Sequence, residues 1–540
     1  MSADRNAGSG SDNRLVVSRR DVLRFTGALG LSLGLPSLVG SCASPGGNKQ
    51  TSGGTSAGAG TLTLAFNRAL PSLDNKLNQF DAQVTVQRAV HQALTRIGQD
   101  LAVENVLAES FEQTSPTEWT VKLRQGLVYS DGTPVKIEDL AKALELYPKV
   151  NGGYVAQQFQ EFPRLQKVDE QTFKLVTKAP NVTLDRLMSN ILLMPAAGNQ
   201  PKEIDNLPGT GPYVIKSHNK GAGTFELAAN PKYSGEKPKL STVKLRFIGQ
   251  ENVRVSAIQR GEVDVIDSVG PDAVQQLQNV QGVKVIRTPG TRITQLFYNF
   301  RKPASSPLSN PKVREALSYA IDGDSIIKNI LLNSVTPIQG VTPQTLVGAA
   351  DVGRYTYDPE KAKSMLSSLG ATNLNLLLIW ESGEFFSDTQ VMEAVVDMLG
   401  KVGVKASLKQ FQPGGDILQW RQGRAGDWDV LGNGFGNQTG VALTTLQGMY
   451  SGTAEREKTR DTYQGYVVPK VANLLSAAAA ESDEAKRNAT LKQAQQAIWN
   501  TWPCMWAFVQ NNNLAHRDRV QGINLLPTNF YDISTVTVNV

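Results

Sequence analysis

Residues 119–139 read WTVKLRQGLVYSDGTPVKIED. The segment from Glu118 to Leu123 alternates apolar with polar residues, the period of a half-buried strand. Gly126 and Gly132 allow backbone angles closed to other residues, and Pro134 presets the turn that follows. From Ile137 to Tyr147 the spacing becomes helical, with Glu138 and Asp139 in the first turn, where they favour the positive end of the helix dipole. A strand, two glycine turns and a helix in so short a span is scaffold; it carries no ligand chemistry.

Working outward, the pattern stays mixed. Thr61–Phe66 alternates as a strand, and Val84–Ile97 has apolar residues at helical spacing. Strands are predicted at Thr172–Val176, Val243–Ile248, Val283–Arg287, Leu374–Ile379 and Asp429–Leu431. Helices are predicted at Val253–Arg260, Lys312–Ala320, Pro359–Leu369, Ser387–Val402 and Asp483–Thr501. Alternation of the two through the second half indicates an α/β fold with partly parallel sheets. At 540 residues the chain is too long for one core, so two or three structural units are expected.

At the amino end, Ser18-Arg19-Arg20-Asp21-Val22-Leu23-Arg24 precedes an apolar stretch from Phe25 to Val39. Paired arginines ahead of a short apolar segment read as a twin-arginine export signal over residues 1–41. The stretch is shorter than the roughly 20 residues of a spanning helix. Val39-Gly40-Ser41-Cys42 then resembles a lipobox, which makes Cys42 the lipidated first residue of the mature chain. Residues 42–60 form a tether, dominated by Gly, Ser, Thr and Ala, that cannot bury enough surface to offset its ordering entropy. As a coil it spans about 20–25 Å. Gly30-Leu31-Ser32-Leu33-Gly34 matches a nucleophile elbow in letters but lies inside the apolar signal segment, with no strand-turn-helix context.

Composition narrows the function further. A net charge of +6 is weak for this length, and no basic stripe appears, so nucleic acid is not an expected partner. The two cysteines, Cys42 and Cys504, have no second metal-ligand cysteine near either, and only three histidines occur. No disulfide framework, cysteine- or histidine-based metal site or cofactor is expected, which leaves only carboxylate sites for hard cations open. The body shows neither H-E-x-x-H nor a P-loop, and no catalytic residue is assigned.

Four separated segments carry a family resemblance. The first is the opening stretch. The second is Gly209-Thr210-Gly211-Pro212-Tyr213 with Asn230-Pro231-Lys232-Tyr233 and Ala257-Ile258-Gln259-Arg260-Gly261-Glu262-Val263-Asp264. The third is Asn310-Pro311-Lys312-Val313-Arg314-Glu315-Ala316-Leu317-Ser318-Tyr319-Ala320-Ile321-Asp322, and the fourth is Tyr357-Asp358-Pro359-Glu360-Lys361-Ala362. In order and spacing the chain resembles the family 5 extracellular solute-binding proteins of ATP-driven (ABC) importers, the oligopeptide and dipeptide type. The resemblance implies a periplasmic-binding-protein-like fold (type II, cluster C), with two lobes joined by a hinge and an extra domain in the N-terminal lobe. Lobe I would take residues 61–85, 205–293 and 503–540, the extra domain 86–204, and lobe II 294–502. Segments near Thr294–Phe300 and Pro503–Val509 would cross between lobes. The implied protein is a monomeric receptor, not an enzyme, lipid-anchored at the outer face of a bacterial cell membrane. It would bind a small molecule, a peptide first of all, and deliver it to permease and ATPase subunits. A sugar or modified peptide, or a surface-displayed hydrolase, stands as the alternative.

In such receptors an aspartate in a Gly/Trp-containing loop often pairs with the ligand's terminal amine. The corresponding stretch here, Trp428–Gly440 (WDVLGNGFGNQTG), has no acidic residue between Gly432 and Gly440. An ammonium buried without a partner costs several kcal/mol. The loop instead offers amides and glycines, so Asn433, Phe435, Asn437 and Gln438 are ligand-binding candidates. Tyr298, Asn299 and Phe300 on the crossing segment join them, with Trp380 at a strand end; their rings stack on a ligand or pack in the core. Arg292 and Arg301 either hold a carboxylate or are solvated surface residues. Cys504 reads as a buried, inert thiol. His91 reads as a packing or capping residue.

Overall fold

The computed structural model describes residues 60–539, apart from 71, 78–80, 151–154, 156–157, 160 and 201–205. The paired arginines, Cys42 and nearly all of the tether lie outside the described residues.

The opening stretch folds as its spacing dictates. In the strand Glu118–Leu123, Trp119, Val121 and Leu123 are buried and the alternate residues are half-buried. It lies between Ala108–Ser115 and Thr172–Val176 in a four-stranded antiparallel sheet whose far edge is Arg164–Lys167. Gly132 takes φ +95° in the turn. The helix is Ile137–Leu146. Buried Asp139 ties it down, accepting from the Lys136 N–H (2.9 Å), the Tyr129 hydroxyl (2.9 Å) and the Ala196 N–H (2.8 Å). Leu94, Val121, Leu140, Phe173 and Leu193 share one core here.

A second, eleven-stranded sheet organises the rest. Its order is Lys405–Phe411, Asn375–Glu381, Val430–Phe435, Val283–Tyr298, Cys504–Arg517, Val265–Ile266, Gly60–Phe66, Leu240–Phe247, Thr224–Ala229 and Tyr213–Asn219, with Val335–Pro337 also on Cys504–Arg517. Asn375–Glu381 is parallel to both its neighbours, and Gly60–Phe66 to both of its own. The sheet is therefore partly parallel, with the helix Asp388–Lys401 as the crossover between Asn375–Glu381 and Lys405–Phe411.

Two long strands, Val283–Tyr298 and Cys504–Arg517, join the halves. They run antiparallel, and the partners of each half attach at opposite ends: Val265–Ile266 beside His516 and Ala515, Val430–Phe435 beside Ile293–Tyr298. Pairing runs from Val283↔Arg517 to Pro289↔Asn511, breaks, and resumes at Ile293↔Val509. Gly290 lies in the break, where a Cβ would come 2.4 Å from the Gln510 carbonyl oxygen. The expected end of the first strand near Arg287 is thus too early. Pro289 reads as a breaker, but its missing N–H falls where the ladder is interrupted anyway, and the strand carries on.

The predicted helix Val84–Ile97 is also shortened. It spans Asp81–Val90, and Thr95–Ile97 is a strand paired with Val103–Asn105. The Val90 carbonyl, free to continue the helix, instead accepts from the Gly211 N–H at 2.8 Å. Only glycine fits there: a Cβ on Gly209 would sit 1.8 Å from the Val90 oxygen.

Candidate ligand-binding site

Three parallel strands, Asn375–Glu381, Lys405–Phe411 and Val430–Phe435, end at one edge of the sheet, the edge where α/β proteins usually hold ligands. Asn433, Gly434 and Phe435 emerge there beside Glu381 and Glu384. Glu384 accepts from the Gly434 N–H (2.7 Å) and pairs with the Arg292 guanidinium. Burial, and then the neighbouring charge of Glu384, push the Glu381 carboxyl above its ordinary range.

The loop after Phe435 is rigid rather than open. Asn437 is buried, and its amide donates to the Val441 carbonyl and Thr445 Oγ1, both at 2.8 Å. Its Oδ1 accepts from the Thr439 N–H, the Thr439 hydroxyl and the Gly440 N–H. Asn437 therefore holds the loop's shape. Gln438 is buried with Oε1 unpartnered. The Asn433 amide donates to the Tyr463 hydroxyl at 2.8 Å, and Gln295 donates to the same oxygen at 3.0 Å.

Phe435 is half-buried and forms one wall of a cavity of about 220 Å³. Thr444 and Gln447 of the helix Ala442–Tyr450 continue that wall, while Thr177, Asn181 and Thr183, beyond the strand Thr172–Val176, form the facing one. Glu161 is the one ionisable residue among the described lining. Near the cavity, Arg186, on the short helix Leu184–Met188, donates from Nη1 to the Leu101 carbonyl (2.6 Å) and to the Thr439 carbonyl (3.0 Å), and the second bond ties this helix to the loop after Phe435.

The other sequence candidates lie elsewhere. Tyr298 pairs with Val430 and Ile293 with Phe435, so Tyr298 sits five residues, about 17 Å, along the strand from Phe435. Tyr298 is fully buried and its hydroxyl donates to the Arg314 carbonyl (3.1 Å). Asn299 is buried and donates to the Trp428 carbonyl (2.9 Å). Phe300 is half-buried under the Arg314 guanidinium, 4.7 Å from its ring centroid. Trp380 is buried in the same core as Tyr298 and Phe385. Arg301 is neither solvated nor aimed at a ligand: it pairs with the protein's own Glu457 through two hydrogen bonds of 2.8 and 3.2 Å. The Cys504 thiol is buried and donates to Gln295 Oε1 at 3.4 Å, and burial pushes its pKa up. Composition alone could not single out Glu384, Tyr463, Gln295 or Gln447. The antiparallel register, which sets Gln295 opposite Asn433, is the signal that finds Gln295.

Among the described residues no cluster of three or more His, Cys, Asp or Glu could hold a metal ion, and no helix is long and apolar enough to cross a membrane. The chain matches the model for bacterial extracellular solute-binding proteins, family 5 middle, over residues 102–457. It belongs to that family. This family 5 protein is 25% identical over 477 residues to the glutathione-binding protein GsiB of Escherichia coli (strain K12), covering 84% of this chain and 90% of that one. The GsiB of Pectobacterium atrosepticum is 26% identical over 484 residues, covering 86% and 92%. Two solved structures share the fold. The substrate-binding protein CtaP of Listeria monocytogenes aligns with TM-score 0.77 at 20% identity, covering 89% of this chain and 99% of that one. AgaA from A. tumefaciens R10, in complex with agropinic acid, aligns with TM-score 0.75 at 24% identity, covering 89% and 99%. The family 5 protein is therefore a two-lobed, extracytoplasmic receptor of an ABC importer and not an enzyme.

Proposed function

We propose that this receptor is lipid-anchored through Cys42 at the outer face of the cell membrane, captures a short peptide with a masked or unusual amino end, and passes it to its permease. The cavity between Phe435 and Asn181 carries this reading. Its described lining is mostly uncharged, mixing amides and hydroxyls with apolar surface and one aromatic face, which suits peptide groups and small side chains. At about 220 Å³ it holds a small solute or one end of a longer one. The acid that would pair with a free amine is absent from the 432–440 loop, and nearby Glu384 is already engaged by Arg292 and Gly434. The relatives named for glutathione support the same class, because glutathione is a tripeptide with a side-chain-linked first residue. We place lobe I at 61–85, 205–293 and 503–540, the extra domain at 86–204 and lobe II at 294–502.

Mass spectrometry of small molecules released on denaturing the purified protein tests the ligand. A defined short peptide, modified or blocked at its amino end, is expected; a co-purifying sugar replaces the peptide reading. The anchor is tested separately by Cys42→Ser, which should move the protein from the detergent phase to the aqueous phase while leaving ligand binding unchanged.

A further inference from the structure

A second cavity, of about 290 Å³, lies apart from the Phe435 site. Its described walls come from residues 85–106, 189–233 and 524–535, with none from 292–502. Its inner wall carries Arg88, on the helix Asp81–Val90. Among the described residues this guanidinium has no carboxylate partner. Its hydrogen bonds run from Nη2 alone, to the Ser189 carbonyl (3.3 Å) and Asn190 Oδ1 (3.1 Å), while Nε is buried with no partner. Its Cζ lies over the Phe530 ring, 4.5 Å from the ring centroid.

Buried charges are normally paired, because removing one from water costs several kcal/mol. Burial has lowered the Arg88 pKa to about 10, as expected for a cation without a counter-ion. The two carboxylates of the cavity, Glu104 and Asp532, are held instead by exposed Arg96, at 2.6 and 3.7 Å. Three more polar atoms of the same wall are buried without a partner: Thr85 Oγ1, His91 Nδ1 and the Tyr531 hydroxyl. Around an unpaired cation, these unpartnered polar atoms leave the wall short of hydrogen-bonding partners. Ile97, Val106, Leu192 and Leu526 give the remainder of the cavity an apolar surface.

We infer that this cavity is a second small-molecule site, which takes an organic carboxylate with its anionic head on Arg88 and its apolar body against Ile97, Val106 and Leu192. With Nη2 taken up by the Ser189 and Asn190 oxygens, Nη1 is the nitrogen left to donate to a carboxylate head, which the guanidinium charge also attracts. The site is independent of the peptide reading above, since it shares no residue with the Phe435 cavity.

Thermal denaturation of the full chain tests it, with phenylacetate, hexanoate, inorganic phosphate and the neutral phenylacetamide as probes. Phenylacetate and hexanoate at millimolar concentration should raise the melting temperature of the unaltered protein by a few degrees and leave Arg88→Met unmoved; phenylacetamide should do nothing to either. Without a probe, Arg88→Met should melt no lower than the unaltered chain, because it removes an unpaired, half-buried charge and keeps the packing on Phe530. Equal stabilisation of both proteins by the carboxylates, or stabilisation by phosphate alone, overturns the assignment. Crystals of the unaltered protein soaked in 4-bromobenzoate give a reading free of any variant: bromine density beside Arg88 supports the site, and bromine only elsewhere, or nowhere, refutes it.

Discussion

Two residues of one loop divide shape from recognition. The five side-chain hydrogen bonds of Asn437 are all internal, so Asn437→Ala should lower stability by about 3 kcal/mol, the cost of stranding buried donors and acceptors. Phe435→Ala removes a half-buried ring from the cavity wall. It should weaken ligand binding by about tenfold or more with little change in melting temperature, which calorimetry and thermal denaturation together would separate. His91 sets an acid limit on stability. Burial drops its imidazole from 6.5 to about 4. Below pH 6.5 the unfolded chain takes up the proton first, so stability contributed by the neutral ring is lost as pH falls from 6.5 towards 4, on the order of 3 kcal/mol in all. His91→Gln should flatten this part of a stability-versus-pH curve; an unchanged slope would show that the ring titrates normally.

Elements are stopped and joined by contacts distant in sequence. The helix Asp81–Val90 ends because Gly209 and Gly211 press on the Val90 carbonyl. Gly209→Ala must displace backbone and should cost about 3 kcal/mol or more in denaturant titration. The same contact explains what the sequence hid. Periods of two and 3.6 placed the strands Glu118–Leu123 and Thr172–Val176 and the helices near 137–147, 312–320, 359–369 and 387–402, because each has its own apolar face and end signals. The apolar spacing of residues 84–97 could not reveal a carbonyl capped from position 211. Nor could Pro289 reveal that its missing donor falls in a register break. The glycines and amides single out Asn433–Gln438 as a candidate loop, but not the division of labour within it. Which amide faces a ligand and which is consumed by the loop depends on Val441 and Thr445, outside the segment. Tyr298 and Trp380 show the same limit: an aromatic at a strand end reads identically whether it meets a solute or the core.

For the molecule as a whole, two long strands with a register break at 289–293 join the halves, and Arg186 ties the helix Leu184–Met188 to the Thr439 carbonyl. Ligand binding should draw the lobes together and reduce the radius of gyration in solution scattering; an identical profile with and without the co-purified ligand would speak against closure. Arg186→Ala removes the bond to Thr439 that joins these segments, together with the local bond to Leu101. It should lower affinity by about tenfold through the closed population, although Arg186 is not among the cavity residues, and a matching increase in dissociation rate would be the sign. The position of Gly60–Phe66 has a mechanical consequence. Any pull delivered through the residues before Gly60 enters along an interior strand flanked by the parallel partners Leu240–Phe247 and Val265–Ile266. Such a load strains the flanking ladders together in shear instead of unzipping them rung by rung, so a molecule tugged from its leading end should resist rupture better than one tugged across a sheet edge.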